Sequence, residues 1–211
     1  VDKFGVMTLN RHTLCRNQSR TLVLASSSPR RQELIQTLGL PVIVRPSRVP
    51  ETVAPGLAPC DIVKQLSLMK AEAVARETAE ADAVVVGSDT IVVLDGRVLG
   101  KPADRAEAAH MLGILQGKTH EVYSGVALID TATGNRAVEC RMTKVTMKPL
   151  DRGRIERYVE TGEPLDKAGA YAIQGVGATL IEAIEGDYFN VVGLPLSLLS
   201  DMLKTFGFDL I

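Results

Sequence analysis

Short apolar runs alternate with stretches of helical periodicity through the first half of the chain, and runs of two-residue alternation fill its middle. Thr21–Ser26 is a short apolar run, and Ser27-Ser28-Pro29 then supplies the cap and first turn of a helix predicted from Pro29 to Leu38. Leu34, Ile35 and Leu38 form its buried stripe, and Gly39 stops it. Pro41–Val44 reads as a second strand. Four prolines, Pro46, Pro50, Pro55 and Pro59, exclude a regular element over 46–59 and predict a surface loop carrying Glu51. From Asp61 to Glu77 the residues Ile62, Val63, Leu66, Met69, Ala73 and Val74 recur at helical spacing. Lys70 adjoins that stripe, which brings its ammonium to a cleft edge.

Ala83–Val86 is the nearly pure apolar run of a central strand covered on both faces, and Gly87-Ser88-Asp89-Thr90 follows. Asp89 is therefore expected at a strand terminus. Ile91–Leu94, Asp95-Gly96 and Val98-Leu99 predict a hairpin that Gly100-Lys101-Pro102 ends, and Asp104 then caps a helix to about Leu115. His120–Ile129 and Ala137–Met147, joined by a turn over 131–135, read as two long antiparallel strands. Asp151 caps another helix to about Thr161, Gly162–Gly169 is a polar loop holding Pro164, Asp166 and Lys167, and the leucine-rich segment 194–206 is a closing helix. The pattern predicts an α/β fold: a mixed twisted sheet with flanking helices and two lobes around a central cleft, where a ligand would sit.

Composition narrows the function classes. With 45% hydrophobic residues the 211-residue chain can bury a substantial core, and 24 basic against 25 acidic side chains give no general attraction for nucleic acid or membranes. No apolar run approaches the about 18 to 20 residues of a membrane helix. Cys15, Cys60 and Cys140 are odd in number, widely spaced and without a CxxC pair. They argue against a disulfide scaffold or a structural zinc site and for a reducing, cytoplasmic setting. Residues 1–20 carry Lys3, Arg11, Arg16 and Arg20 without apolar periodicity and read as a loosely ordered extension to a single domain over 21–211.

Candidate chemistry is local. Ser26-Ser27-Ser28-Pro29-Arg30-Arg31 joins hydroxyls, the N–H groups of a helix start and two guanidinium forks, a combination suited to phosphate oxygens. Asp89 and Glu51 could together hold a hard divalent cation and orient a water against phosphorus, while Lys70 and Lys101 could neutralise a polyphosphate. The chain has no GxxxxGK[ST] loop, GxGxxG fingerprint, GxSxG elbow or HExxH pair. His12, His110 and His120 do not cluster.

Six segments, LASSSPRRQELI at 24–35, GSDTIV at 87–92, GKP at 100–102, GKTHEVYSGVAL at 117–128, GEPLDKAGAYAIQG at 162–175 and NVVGLPL at 190–196, resemble the Maf family of nucleoside triphosphate pyrophosphatases. The resemblance spans nearly all of 21–208 and implies a two-lobed α/β protein, often a homodimer. It further implies a divalent-cation enzyme, using Mg2+, Mn2+ or Co2+, that cleaves a nucleoside triphosphate to the monophosphate and pyrophosphate. Carried onto this chain, Ser26, Arg31, Lys70 and Lys101 match the family's phosphate-contacting positions, and Glu51 and Asp89 its metal and water site. Asp89 matches the family's proton acceptor, acting either on the proton itself or through the metal.

Arg30, Thr90 and Gln174 resemble the family's dTTP/UTP branch at three positions where branches differ, and the chain lacks tryptophan, which the 7-methyl-GTP branch has at one of them. An amide such as Gln174 can both donate to and accept from a pyrimidine edge, whereas a methylated purine cation favours stacking and a carboxylate. The resemblance thus points to hydrolysis of dTTP, UTP and modified pyrimidine nucleotides, with no membrane and no stable nucleic-acid partner. The competing reading is a nucleotide-binding regulator of septum formation or cell division without significant turnover.

Overall fold

A computed structural model describes residues 20–80 and 82–210. Residues 1–19, most of the predicted extension, lie outside the described residues. Arg20, counted with that extension, is instead anchored to the fold. Its guanidinium donates to Asp82 at 2.6 Å, to Asp130 at 2.8 Å and to the Phe206 carbonyl at 2.7 Å.

The elements run β1 (Thr21–Leu24), α1 (Pro29–Gln36), β2 (Val42–Val44), α2 (Pro59–Glu77), β3 (Ala83–Leu94), β4 (Arg97–Leu99), α3 (Arg105–Leu115), β5 (Thr119–Asp130), β6 (Arg136–Met147) and α4 (Arg152–Glu160). Short 3-10 turns then lead to β7 (Ile181–Glu185), α5 (Tyr188–Val192) and α6 (Leu196–Thr205). One seven-stranded mixed sheet has the order β2-β1-β3-β5-β6-β7, with β4 paired to β3. β1 lies parallel to β2 and β3, and α1 and α2 supply the crossovers that parallel neighbours require. The expected mixed α/β architecture is thus present. Asp104 and Asp151 cap α3 and α4 as expected, accepting from the N–H groups of Glu107 and Arg154.

Three expectations are corrected. Pro59 opens α2 rather than closing the loop, because its missing N–H needs no partner in a first turn. The strand beginning at Ala83 does not end at Val86. β3 continues through Gly87-Ser88-Asp89-Thr90 and stays paired with β5, Gly87 facing Ala127 and Asp89 facing Gly125. Asp89 therefore sits in mid-strand, and the hydroxyls beside it are satisfied internally: Ser88 donates to the Gly193 carbonyl at 3.1 Å, and Thr90 pairs with Ser124 at 2.7 Å. Finally, Cys60 and Cys140 form a disulfide with Cα atoms 5.9 Å apart, against the expectation of unpaired thiols. The first turn of α2 lies across β6, a proximity that a sequence separation of 80 does not display.

Strand alternation distributes the core. Val23, Ala25, Val85 and Ala127 meet Ala71 and Val74 of α2 on one face. Leu22, Leu24, Val84 and Val86 face the other way, onto α1 and α6. Further along β3, Val92 and Leu94 keep that second face but pack on α3 and α4 instead. The change of partner falls at Ser88 and Thr90, where the short helix α5 and the Gly193 carbonyl cover the second face: Asn190 of α5 is buried there, donating to the Val122 carbonyl and accepting from Ser124 on its own carbonyl.

Candidate active site

A cleft of about 780 Å3, within the range of small-molecule sites, opens between the start of α1, α2 and β3. Ser26, Arg30, Arg31, Glu51, Lys70, Asp89, Thr90, Lys101 and Gln174 all line it. The structure thus brings together every residue singled out from sequence.

The β1–α1 turn forms one wall. Ser28 stands at the N-cap of α1 but makes no side-chain cap, and Pro29 follows as the first helical residue. The buried Ser26 hydroxyl instead accepts from the Ser28 N–H at 3.2 Å. The N–H groups of the first turn therefore lack a side-chain cap, which leaves a helix start suited to an anion. Arg31 crosses behind them, donating from Nε to the Gly193 carbonyl at 2.7 Å and from a terminal nitrogen to Thr90 at 2.9 Å. Burial holds the Arg31 guanidinium below its usual pKa, opposed by Asp89 and Glu51 and reinforced by Arg30.

The opposite wall is ionic. Lys70, on the inward face of α2, is buried and donates from Nζ to Asp89 at 2.5 Å and to Glu51 at 2.6 Å. Burial pushes the Glu51 carboxyl up, but the hydrogen bond and charge of Lys70, helped by Lys101 and Arg31, outweigh it and leave Glu51 below the usual range. Among the described residues no three His, Cys, Asp or Glu side chains converge on a metal position. Two carboxylates sharing a lysine do not make a closed structural site. They do fit a hard cation that takes one or two carboxylates and completes its shell with water and phosphate.

Alternation along β3 separates the remaining candidates. Asp89 shares the α2 face, whereas Thr90 points the other way into Arg31, Ser124 and Gly193. Thr90 is thus a direct neighbour of the guanidinium at the anion wall. Arg30 and Gln174 also line the cleft, with the charge of Arg30 reaching both Arg31 and the Tyr158 hydroxyl. Sequence reasoning missed two groups. Lys167 is buried, lines the cleft and pairs with Asp166; its signal was its place in a polar loop that is also one of the six resembling segments. The Gly193 carbonyl anchors both Arg31 and Ser88, a backbone role that no side-chain pattern reveals.

Tyr171 lines the cleft and its hydroxyl meets buried His120 Nε2 at 2.7 Å, while His120 Nδ1 has no hydrogen-bond partner among the described residues. Burial drives the His120 pKa down to about 4. Between pH 6.5 and 4 the unfolded chain therefore binds a proton here that the folded chain refuses, so this contribution to stability is lost as pH falls through that window. We expect the loss to approach about 3 kcal/mol. Urea midpoints at pH 7 and pH 4.5 check it, since His120→Gln should flatten the slope; an unchanged slope would contradict it.

A family described as Maf-like protein matches residues 21–206. A protein of Moorella thermoacetica named dTTP/UTP pyrophosphatase is 55% identical over 89% of this chain and 96% of its own. One of Pelotomaculum thermopropionicum with the same name is 53% identical over 91% of this chain and 100% of its own. Another so named, from Desulforamulus reducens, is 49% identical over the same shares, 91% and 100%.

Proposed function

The chain belongs to the Maf family, and from that premise we propose that its cleft hydrolyses dTTP and UTP, with modified pyrimidine nucleotides as further substrates, to the monophosphate and pyrophosphate. The observation that carries this is the Lys70 ammonium joining Asp89 to Glu51 across from Arg31 and the uncapped start of α1. A buried carboxylate, paired cations and a helix start are the groups that water attack on a phosphoanhydride needs.

Asp89 takes the proton of a water whose oxygen bonds to the α phosphorus. The bond from that phosphorus to the α–β bridging oxygen breaks, and its electron pair leaves with pyrophosphate. Arg31, Lys70 and Lys101 stabilise the charge that develops on the phosphate oxygens, and Ser26 with the first N–H groups of α1 orients them. Mg2+, Mn2+ or Co2+ held by Glu51 and Asp89 would supply Lewis-acid stabilisation of the same oxygens. Arg30 and Gln174 face the base, and Thr90 fixes the guanidinium of Arg31. Residues 21–211 act as one catalytic domain of two lobes, in a cytoplasmic homodimer. Cysteine usage lends no support to that location, given the Cys60–Cys140 bond. The retained acids and the names of the relatives favour turnover over a purely regulatory nucleotide-binding role.

The test is release of pyrophosphate and monophosphate from dTTP, UTP, CTP, dATP, GTP and 7-methyl-GTP, with Mg2+ or Mn2+ and with EDTA. We expect dTTP and UTP to lead and EDTA to abolish turnover. A lead by 7-methyl-GTP would reject the pyrimidine assignment, and nucleotide binding without cleavage would reject the enzymatic one.

A further inference from the structure

We propose that Glu163 is the positioning residue for base selection: with Tyr158 it clamps both ends of the short loop that carries Gln174. The inference rests on the proposed reading of Gln174 as the base-facing amide.

The loop's geometry carries the argument. Glu163 accepts from the Gly177 N–H at 2.9 Å and from the Val176 N–H at 3.1 Å, one on each carboxylate oxygen. The Tyr158 hydroxyl donates to the same carboxylate at 2.8 Å and accepts from the Ala172 N–H at 3.0 Å. One carboxylate and one phenol therefore hold the backbone on both sides of Ile173-Gln174-Gly175. Tyr158 is itself buried in the core that α4 makes with α3, so the clamp is referred to a rigid element rather than to another loop. Burial drives its hydroxyl pKa up, with the Ala172 N–H opposing and Glu163 reinforcing the shift. The phenol thus stays a neutral donor to the carboxylate.

The chain is shaped to this grip. Gly175 has φ of +63°, and a Cβ there would stand 2.6 Å from Glu163 Oε2. At Gly177 a Cβ would stand 2.3 Å from the Ala172 carbonyl and 2.6 Å from the Tyr158 hydroxyl. Only glycine lets the backbone wrap this closely around the carboxylate. The Gln174 side chain, by contrast, hydrogen-bonds no described residue. Among the described residues no hydrogen bond places its amide, so the course of its backbone sets where that amide can reach, and a displacement of an ångström at a recognition group is enough to weaken it severely.

Steady-state kinetics on dTTP, UTP, CTP and dATP, paired with equilibrium binding of dTTP and CTP, tests the clamp in wild type, Glu163→Ala, Glu163→Gln, Gln174→Ala and the double variant Glu163→Ala/Gln174→Ala. For Glu163→Ala we expect KM for dTTP and UTP to rise about 10-fold and the preference over CTP and dATP to shrink, with kcat within about twofold. Glu163→Gln, which keeps one acceptor oxygen, should recover part of the loss. The double variant should be no worse than Gln174→Ala alone, because both changes remove the same interaction. Multiplicative losses in the double variant, or wild-type KM and preference in Glu163→Ala, would overturn the clamp. If Glu163→Ala does not fold, Tyr158→Phe decides in the same assays: about a threefold rise in KM supports the proposal, and no change sinks it. A wild-type chain that binds but does not cleave dTTP would reject the proposed activity, and the binding preferences would still judge the clamp.

Discussion

An Asp89→Asn variant is expected to lose turnover of dTTP by about 10²–10⁴-fold while still binding it, the range by which a positioned proton acceptor contributes. The substitution keeps the shape of the side chain and an oxygen that can accept from Lys70, which donates to Asp89 at 2.5 Å. It removes the negative charge and the basicity that receive the water's proton. Lys70 keeps a second carboxylate at Glu51, 2.6 Å away, so the variant does not leave the buried ammonium unpaired. Binding by titration calorimetry and kcat by single turnover separate the two effects. A kcat within a few-fold of wild type would take Asp89 out of the proton transfer.

The second large effect concerns the seat of α2. A Cβ on Gly125 would lie 2.3 Å from the Val63 carbonyl and 2.6 Å from the Ser67 hydroxyl, which itself donates to Val63 at 2.6 Å. The obstacle is helix backbone, which cannot rotate away, so Gly125→Ala is expected to cost about 3 kcal/mol or more. Activity should fall with stability, because a helix lifted from β5 carries Lys70 away from Asp89. Gly113→Ala is the matching control: on α3 a Cβ there meets nothing within 4 Å among the described residues, and alanine should add about 0.5–1 kcal/mol. Urea midpoints of the two variants check both signs, and equal midpoints would refute the backbone-contact argument.

Where periodicity was strong, the sequence was a good guide. α3 begins directly after its predicted cap at Asp104, and β5 and β6 lie within a residue of the expected limits. The misreading of β3 has a definite cause. Polar residues at 88–90 look like a strand end, and the partners that make them acceptable inside the fold, the Gly193 carbonyl and Ser124, lie 105 and 34 positions away. The same holds at the site. Lys70, Asp89 and Glu51 were each legible as charged residues beside apolar patterns, but not the single ammonium that joins them. The Glu163 grip was hidden inside a polar loop whose resemblance to a family segment gave no role to its glutamate, because that role lies in backbone N–H groups that composition does not record.

Asp89 is locked into the middle of a twelve-residue strand, paired with Gly125 of β5, whereas Glu51, Lys101 and Gln174 hang from the segments around it. On the proposed reading the proton acceptor stands on a strand paired along both edges, while the metal and charge partners Glu51 and Lys101 and the base-facing Gln174 stand on connecting segments. Base preference can on that reading be rewritten in the segment that carries Gln174 without disturbing the strand that carries Asp89.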